Sequence, residues 1–164
     1  MRRPTIAHAD ASATPYRAPT LAEAARQLRA GEVTSVALTE ACLRRIEQVD
    51  GVLKACVTVM ADTALEQARV ADAALAAKRA RSPLHGLPLA IKDLFATKGV
   101  RTTAGSDVLA DWIPDEDATA VTKLAEAGAI ALCKTNTHEF AYGTLTPPTR
   151  NPWDTTRAPG GSSG

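Results

Sequence analysis

One stretch limits the folds open to this chain more than any other: Gly86-Leu-Pro-Leu-Ala-Ile-Lys92-Asp93. Leu87, Leu89, Ala90 and Ile91 make a short apolar run that reads as a buried strand, and that strand delivers a lysine at its end. Burying a charged lysine is costly. Taken alone, the plainer reading is that Lys92 reaches out to solvent or pairs with Asp93. A second apolar strand, Ala129-Ile-Ala-Leu-Cys133, follows a helical stretch. Strand, helix, strand in that order predicts a parallel βαβ unit. Runs without alternation are the kind covered on both faces.

The rest of the chain supplies helices. Residues 1–19 carry Pro4, Pro15 and Pro19 and no period, and read as a loose leader ahead of one unit over residues 20–164. Thr20-Leu-Ala-Glu23 is a capping box. It opens a helix with Leu21, Ala24, Ala25 and Leu28 on one face, stopped by Gly31. A second helix starts near Thr34 or Ser35, with Leu38, Cys42, Ile46 and Val49 at helical spacing, and is expected to end where Asp50-Gly51 turns the chain. Residues 53–60 read as a strand. A third helix, over residues 63–79 and capped by Asp62, turns Leu65, Ala68, Ala71 and Leu75 inward. Its Glu66, Arg69 and Asp72 read as a solvated face. Residues 97–114 form a polar loop suited to walling a cleft. Asp117 is expected to cap a helix over residues 118–127. Residues 135–142 allow a helical turn, and residues 143–164 show no period at all. A loop of that length in a domain is functional or disordered. The fold class is therefore α/β, with N-terminal helices packed on a mixed sheet that holds the Lys92 and Cys133 strands.

Composition excludes more than it selects. Net charge is +1, which gives no footprint for nucleic acid or an anionic surface. No apolar run reaches membrane-spanning length, and Arg2 and Arg3 lead into no apolar signal core. Cys42, Cys56 and Cys133 are odd in number and widely spaced, which fits reduced thiols in the cytoplasm better than disulfides or a zinc site.

The motifs fall in a fixed order: the Lys92-Asp93 strand, Arg101-Thr-Thr-Ala-Gly-Ser106, Cys133-Lys-Thr-Asn136, Asn151-Pro-Trp-Asp154, and Pro159-Gly-Gly-Ser-Ser-Gly164. Gly-Gly-Ser-Ser-Gly alone would pass for a flexible linker. In this order the motifs resemble the amidase signature family, over residues 20–164. The resemblance implies an incomplete amidase-signature-like domain and an amide (C–N bond) hydrolase that uses a Ser-cisSer-Lys triad. It makes Lys92 the base and Ser162 the relay, and it implies no cofactor and no metal. The nucleophilic serine lies further along in the family, so residues 1–164 are expected to be inactive by themselves. They are also expected to be weakly stable, with bare strand edges. Two other readings stand beside the hydrolase: the amidase subunit of a tRNA-dependent amidotransferase, and a non-catalytic fragment. The implied partner is a small amide substrate, with nucleic acid contact only in the amidotransferase reading and no membrane. Which amide is taken, and the oligomeric state, are not encoded in these motifs.

The chemistry is consistent with those roles. A lysine acts as a base only when neutral, a form that apolar surroundings favour and a paired carboxylate opposes. Consecutive strand residues point to opposite faces, so Asp93 is expected not to reach the Lys92 amine. The family's relay serine follows a cis peptide bond, which falls at Gly161–Ser162. With nothing after Gly164 to hold the loop, that bond is expected to be trans. The rival constellations are weaker. Lys92 with Cys133 lacks the glutamate of nitrilase-type chemistry, Cys133 with His138 is a bare pair, and the terminal glycines lack the lysine of a phosphate loop. His8 and His85 read as loop residues, and Trp112 and Trp153 as packing anchors.

Overall fold

The computed structural model describes residues 18–164; the reading of residues 1–17 as a leader lies outside them. The capping box forms as the sequence demands. Thr20 Oγ1 accepts from the Glu23 amide and Glu23 returns a carboxylate to the Thr20 amide, opening helix α1 (Leu21–Ala30), which Gly31 closes in the left-handed region. Ala24, Ala25 and Leu28 are buried, whereas Leu21, expected beside them, is exposed.

Helix α2 (Ser35–Leu53) runs straight through Asp50-Gly51, where a turn was expected. The Asp50 carboxylate accepts from the amides of Ala55 and Cys56, anchoring the chain beyond the helix end, and Lys54 makes the left-handed stop. The strand that follows, β1 (Cys56–Val59), is correspondingly short. Helix α3 (Ala61–Ala76) begins without a side-chain cap and holds Asp62 in its first turn. Ala64, Ala68 and Ala71 are its buried residues; these small side chains bring it close to Ile130 and Leu132 of the sheet. Asp72 has more than a solvated role. Its carboxylate accepts from the amides of Ser35 and Val36, capping α2 from a neighbouring helix, while Ser35 Oγ donates to the Gly86 carbonyl at 2.6 Å.

The sheet has three strands. Strand β2 (Pro88–Lys92) is followed by helix α4 (Thr119–Glu126) and strand β3 (Ile130–Thr135), and β2 and β3 are parallel as expected. Strand β1 adds to the other edge of β3 in the antiparallel sense, giving the order β1-β3-β2 and a mixed sheet. A second cluster, Ala24, Ala25, Leu28 and Leu87, ties α1 to the start of β2. Asp117 does not cap α4: it accepts from the Lys98 amide at 2.6 Å and fixes the preceding loop instead. His85, read as a loop residue, is only 5% exposed, with its ring packed on Gly128. From Gly143 onward the described chain holds no helix or strand.

Candidate active site

The register of β2 and β3 sets the site. Lys92 lies opposite Thr135 and Ile91 opposite Lys134, so the ends of both strands meet in one place. Lys92 ends β2 and turns to one face, and its Nζ donates to Ser162 Oγ at 2.6 Å across 70 residues of sequence. Both residues are partly buried. The two side chains singled out in the sequence are thus in direct contact.

Ser162 is held by its backbone. Its carbonyl accepts from Thr137 Oγ1 at 2.8 Å and from the His138 amide at 3.1 Å, and Thr137 bridges Ser163 in a short antiparallel pair. Just before it, Thr146 Oγ1 donates to the Gly160 carbonyl at 2.7 Å. Gly161 presses on Thr144: a β-carbon at Gly161 would stand 2.6 Å from the Thr144 carbonyl carbon, so only glycine fits. The Gly161–Ser162 peptide is cis, not trans as expected. The tethers that hold the loop come from within residues 137–146 and do not need chain beyond Gly164.

The segment from Gly143 to Gly164 is ordered by polar contacts rather than by periodic structure. Asn136 Nδ2 points at the carbonyls of Thr146 and Pro147 and at Thr149 Oγ1, the last at 2.9 Å. Thr149 Oγ1 in turn donates to the Lys54 carbonyl, and the Arg150 amide to the Leu53 carbonyl, fastening the segment to the end of α2.

Asp93 faces away from the site. Its Oδ2 accepts from the amide and hydroxyl of Thr103 at 2.9 and 2.6 Å, and its Oδ1 lies 3.5 Å from Lys134 Nζ. Lys134 and Asp93 are both 0% exposed. Lys134 Nζ donates to the Phe95 carbonyl, Thr97 Oγ1 and Thr102 Oγ1 at 2.6, 3.0 and 2.8 Å. Burial pushes its pKa below the ordinary lysine value, and the Asp93 carboxylate pushes back. The sequence reading placed Lys134 in a motif but gave it no role. The signal it carried was its position: after the apolar run Ile130–Cys133, a lysine in a central strand has to be buried with its partners.

The cysteine readings fare worse. Cys56 and Cys133 are free thiols, with sulfurs 3.7 Å apart. The bond to Cys56 and burial push the Cys133 thiol up, away from the thiolate a nucleophile needs. His138 Nδ1 lies 3.2 Å from the Glu139 carbonyl. Trp112 and Trp153 are exposed, Trp153 almost wholly, so neither is a packing anchor within the described residues. Among the described residues no cluster of three or more His, Cys, Asp or Glu is placed to hold a metal, and no helix is long and apolar enough to cross a membrane.

A half-apolar strand that ends in a lysine bonded to a glycine-loop serine defines a class, and comparison agrees. The Amidase family model matches residues 37–164, and the chain belongs to that family. Over 151 residues it is 52% identical to the A chain component of the glutamyl-tRNA(Gln) amidotransferase of Nocardia farcinica, covering 88% of this chain and 31% of that protein. It is 52% identical over 138 residues to the protein of the same name from Moorella thermoacetica, covering 81% of this chain and 28% of that protein. Among solved structures, the native peptide amidase from Stenotrophomonas maltophilia superposes with a TM-score of 0.81 at 36% identity, covering 91% of this chain and 33% of that one. The chain therefore spans about a third of the length of the relatives it matches.

Proposed function

We propose that these residues carry the base and the relay of an amide hydrolase of the Ser-cisSer-Lys type. The observation that carries the reading is the 2.6 Å bond between Lys92 Nζ and Ser162 Oγ. The neutral Lys92 amine accepts the Ser162 proton while Ser162 accepts the proton of a serine nucleophile. The nucleophile then forms a C–O bond to the amide carbon. As the tetrahedral adduct collapses, the C–N bond breaks and the proton returns through Ser162 to the leaving nitrogen. Water releases the acyl group by the same route in reverse. The reading places the nucleophile C-terminal to Gly164, takes residues 20–164 as the N-terminal part of one domain, and puts the protein in the cytoplasm acting on a small amide.

A second reading is favoured by the relatives. At 52% identity to glutamyl-tRNA(Gln) amidotransferase components, the same base and relay would release ammonia from glutamine for transfer, working with partner subunits and a charged tRNA. Ammonia release from simple amides and from glutamine, measured for the full-length polypeptide with and without partner proteins, tests both. Turnover of simple amides by the protein alone supports the hydrolase. Glutamine turnover that appears only with partners supports the amidotransferase. No turnover of either substrate under either condition removes both.

A further inference from the structure

The buried Asp93–Lys134 pair sits on the far side of β2 from the Lys92 amine, yet it is joined to both ends of the Lys92–Ser162 bond. On one side, Asp93 is the residue after Lys92, and the Phe95 amide donates to the Lys92 carbonyl at 3.0 Å while the Phe95 carbonyl accepts from Lys134 Nζ. The turn that aims Lys92 is therefore gripped by a cation whose three ammonium protons are all committed. On the other side, Asp93 takes both donors of Thr103, and its carbonyl accepts from the Ala104 amide at 3.0 Å. The Ala104 carbonyl accepts from the Phe140 amide at 2.8 Å, which fixes the turn whose Thr137 and His138 hold the Ser162 carbonyl. Gly105, at φ +70°, lies against that same turn: a β-carbon there would stand 2.5 Å from the Thr137 carbonyl oxygen. The contacts close into a ring that begins at Lys92, runs through Asp93, Thr103–Ala104 and Thr137–His138, and returns at Ser162.

We propose that Asp93 and Lys134 are positioning residues for the Lys92–Ser162 contact. They set the distance between base and relay from behind the strand, and Thr103 transmits that setting to the relay side. The inference rests on the base-and-relay reading. It also explains why a carboxylate directly after the lysine is compatible with a base: Lys134 and Thr103 occupy Asp93 on the opposite face.

The test uses the full-length polypeptide, with kcat and KM measured for whichever amide it turns over, and thermal unfolding measured in parallel. Thr103→Val keeps the shape of the side chain and removes one bond to Asp93, so it is the variant least exposed to misfolding. It is expected to lower kcat by about tenfold with KM changed by less than about twofold, and Thr103→Ser is expected to restore kcat. Lys134→Met, where it folds, is expected to lower kcat by about a hundredfold or more. If Thr103→Val is folded with unchanged kcat, or if Thr103→Ser is no better than Thr103→Val, the pair is packing only and the proposal falls. Lys92→Ala is the control. Turnover surviving in Lys92→Ala overturns the base reading and this inference with it. An inactive Lys92→Ala beside a normal Thr103→Val overturns this inference alone.

Discussion

Lys92 and Lys134 stand on neighbouring strands, one residue apart in register, and end in opposite surroundings. Lys134 is wholly enclosed, with three hydrogen bonds and a carboxylate at 3.5 Å. Lys92 is partly open, and among the described residues its amine is bonded to one serine hydroxyl. The difference shows how one residue type serves two ends. A buried ammonium with every proton committed becomes part of the scaffold, and removing it leaves Asp93 as an unpaired buried charge. An amine with donors to spare, next to a hydroxyl that can change partners, is free to exchange a proton. Lys134 is thus expected to matter first for folding, and Lys92 for chemistry.

The largest effect that would break this contrast lies at Lys134. Lys134→Met is expected to destabilise the protein by about 3–5 kcal/mol, read by denaturant unfolding of the full-length polypeptide. A cost under about 1 kcal/mol would mean the pair is not a structural anchor. Ser162→Ala comes next, and sharpens the comparison on the open side. It is expected to lower turnover by roughly 10²–10⁴-fold with little change in melting temperature. Ser163→Ala is expected to do much less, and the reverse order would shift the relay to Ser163.

The positions that give this contrast were unequally legible in the sequence. Local signals read well. The Thr20–Glu23 box, the apolar run into Lys92 and the parallel pairing of β2 with β3 each follow from a short pattern of residues. The contact of Lys92 with Ser162 was legible only through motif order, because no local rule joins residues 70 apart. What failed was long-range polar wiring. Asp50-Gly51 looks like a turn until the Asp50 carboxylate is seen catching Ala55 and Cys56. Asp72 looks solvated until it caps α2. Residues 143–164 look structureless because their order comes from Asn136, Thr146 and Thr149, whose partners lie far away in sequence or on the backbone. Hydrophobic periodicity carries no trace of such bonds.

Smaller effects test that wiring. Asn136→Ala removes three donor contacts from a buried amide and is expected to cost about 1–3 kcal/mol in an unfolding experiment. A neutral result would mean the segment is held by something other than these tethers. Thr20→Ala, far from both lysines, is expected to cost only about 0.5–2 kcal/mol through loss of the α1 cap and to leave turnover unchanged.

The most direct measurement is turnover of the Lys92→Arg enzyme, made as the full-length polypeptide and compared with the unsubstituted protein at matched folded fraction. Arginine keeps the length and the charge but stays protonated at every working pH, so it can hold the serine and cannot take its proton. The account predicts a folded protein with turnover reduced by at least about a thousandfold, which corresponds to roughly 4 kcal/mol of lost transition-state stabilisation. Near-normal turnover in Lys92→Arg would contradict it and remove Lys92 from the chemistry.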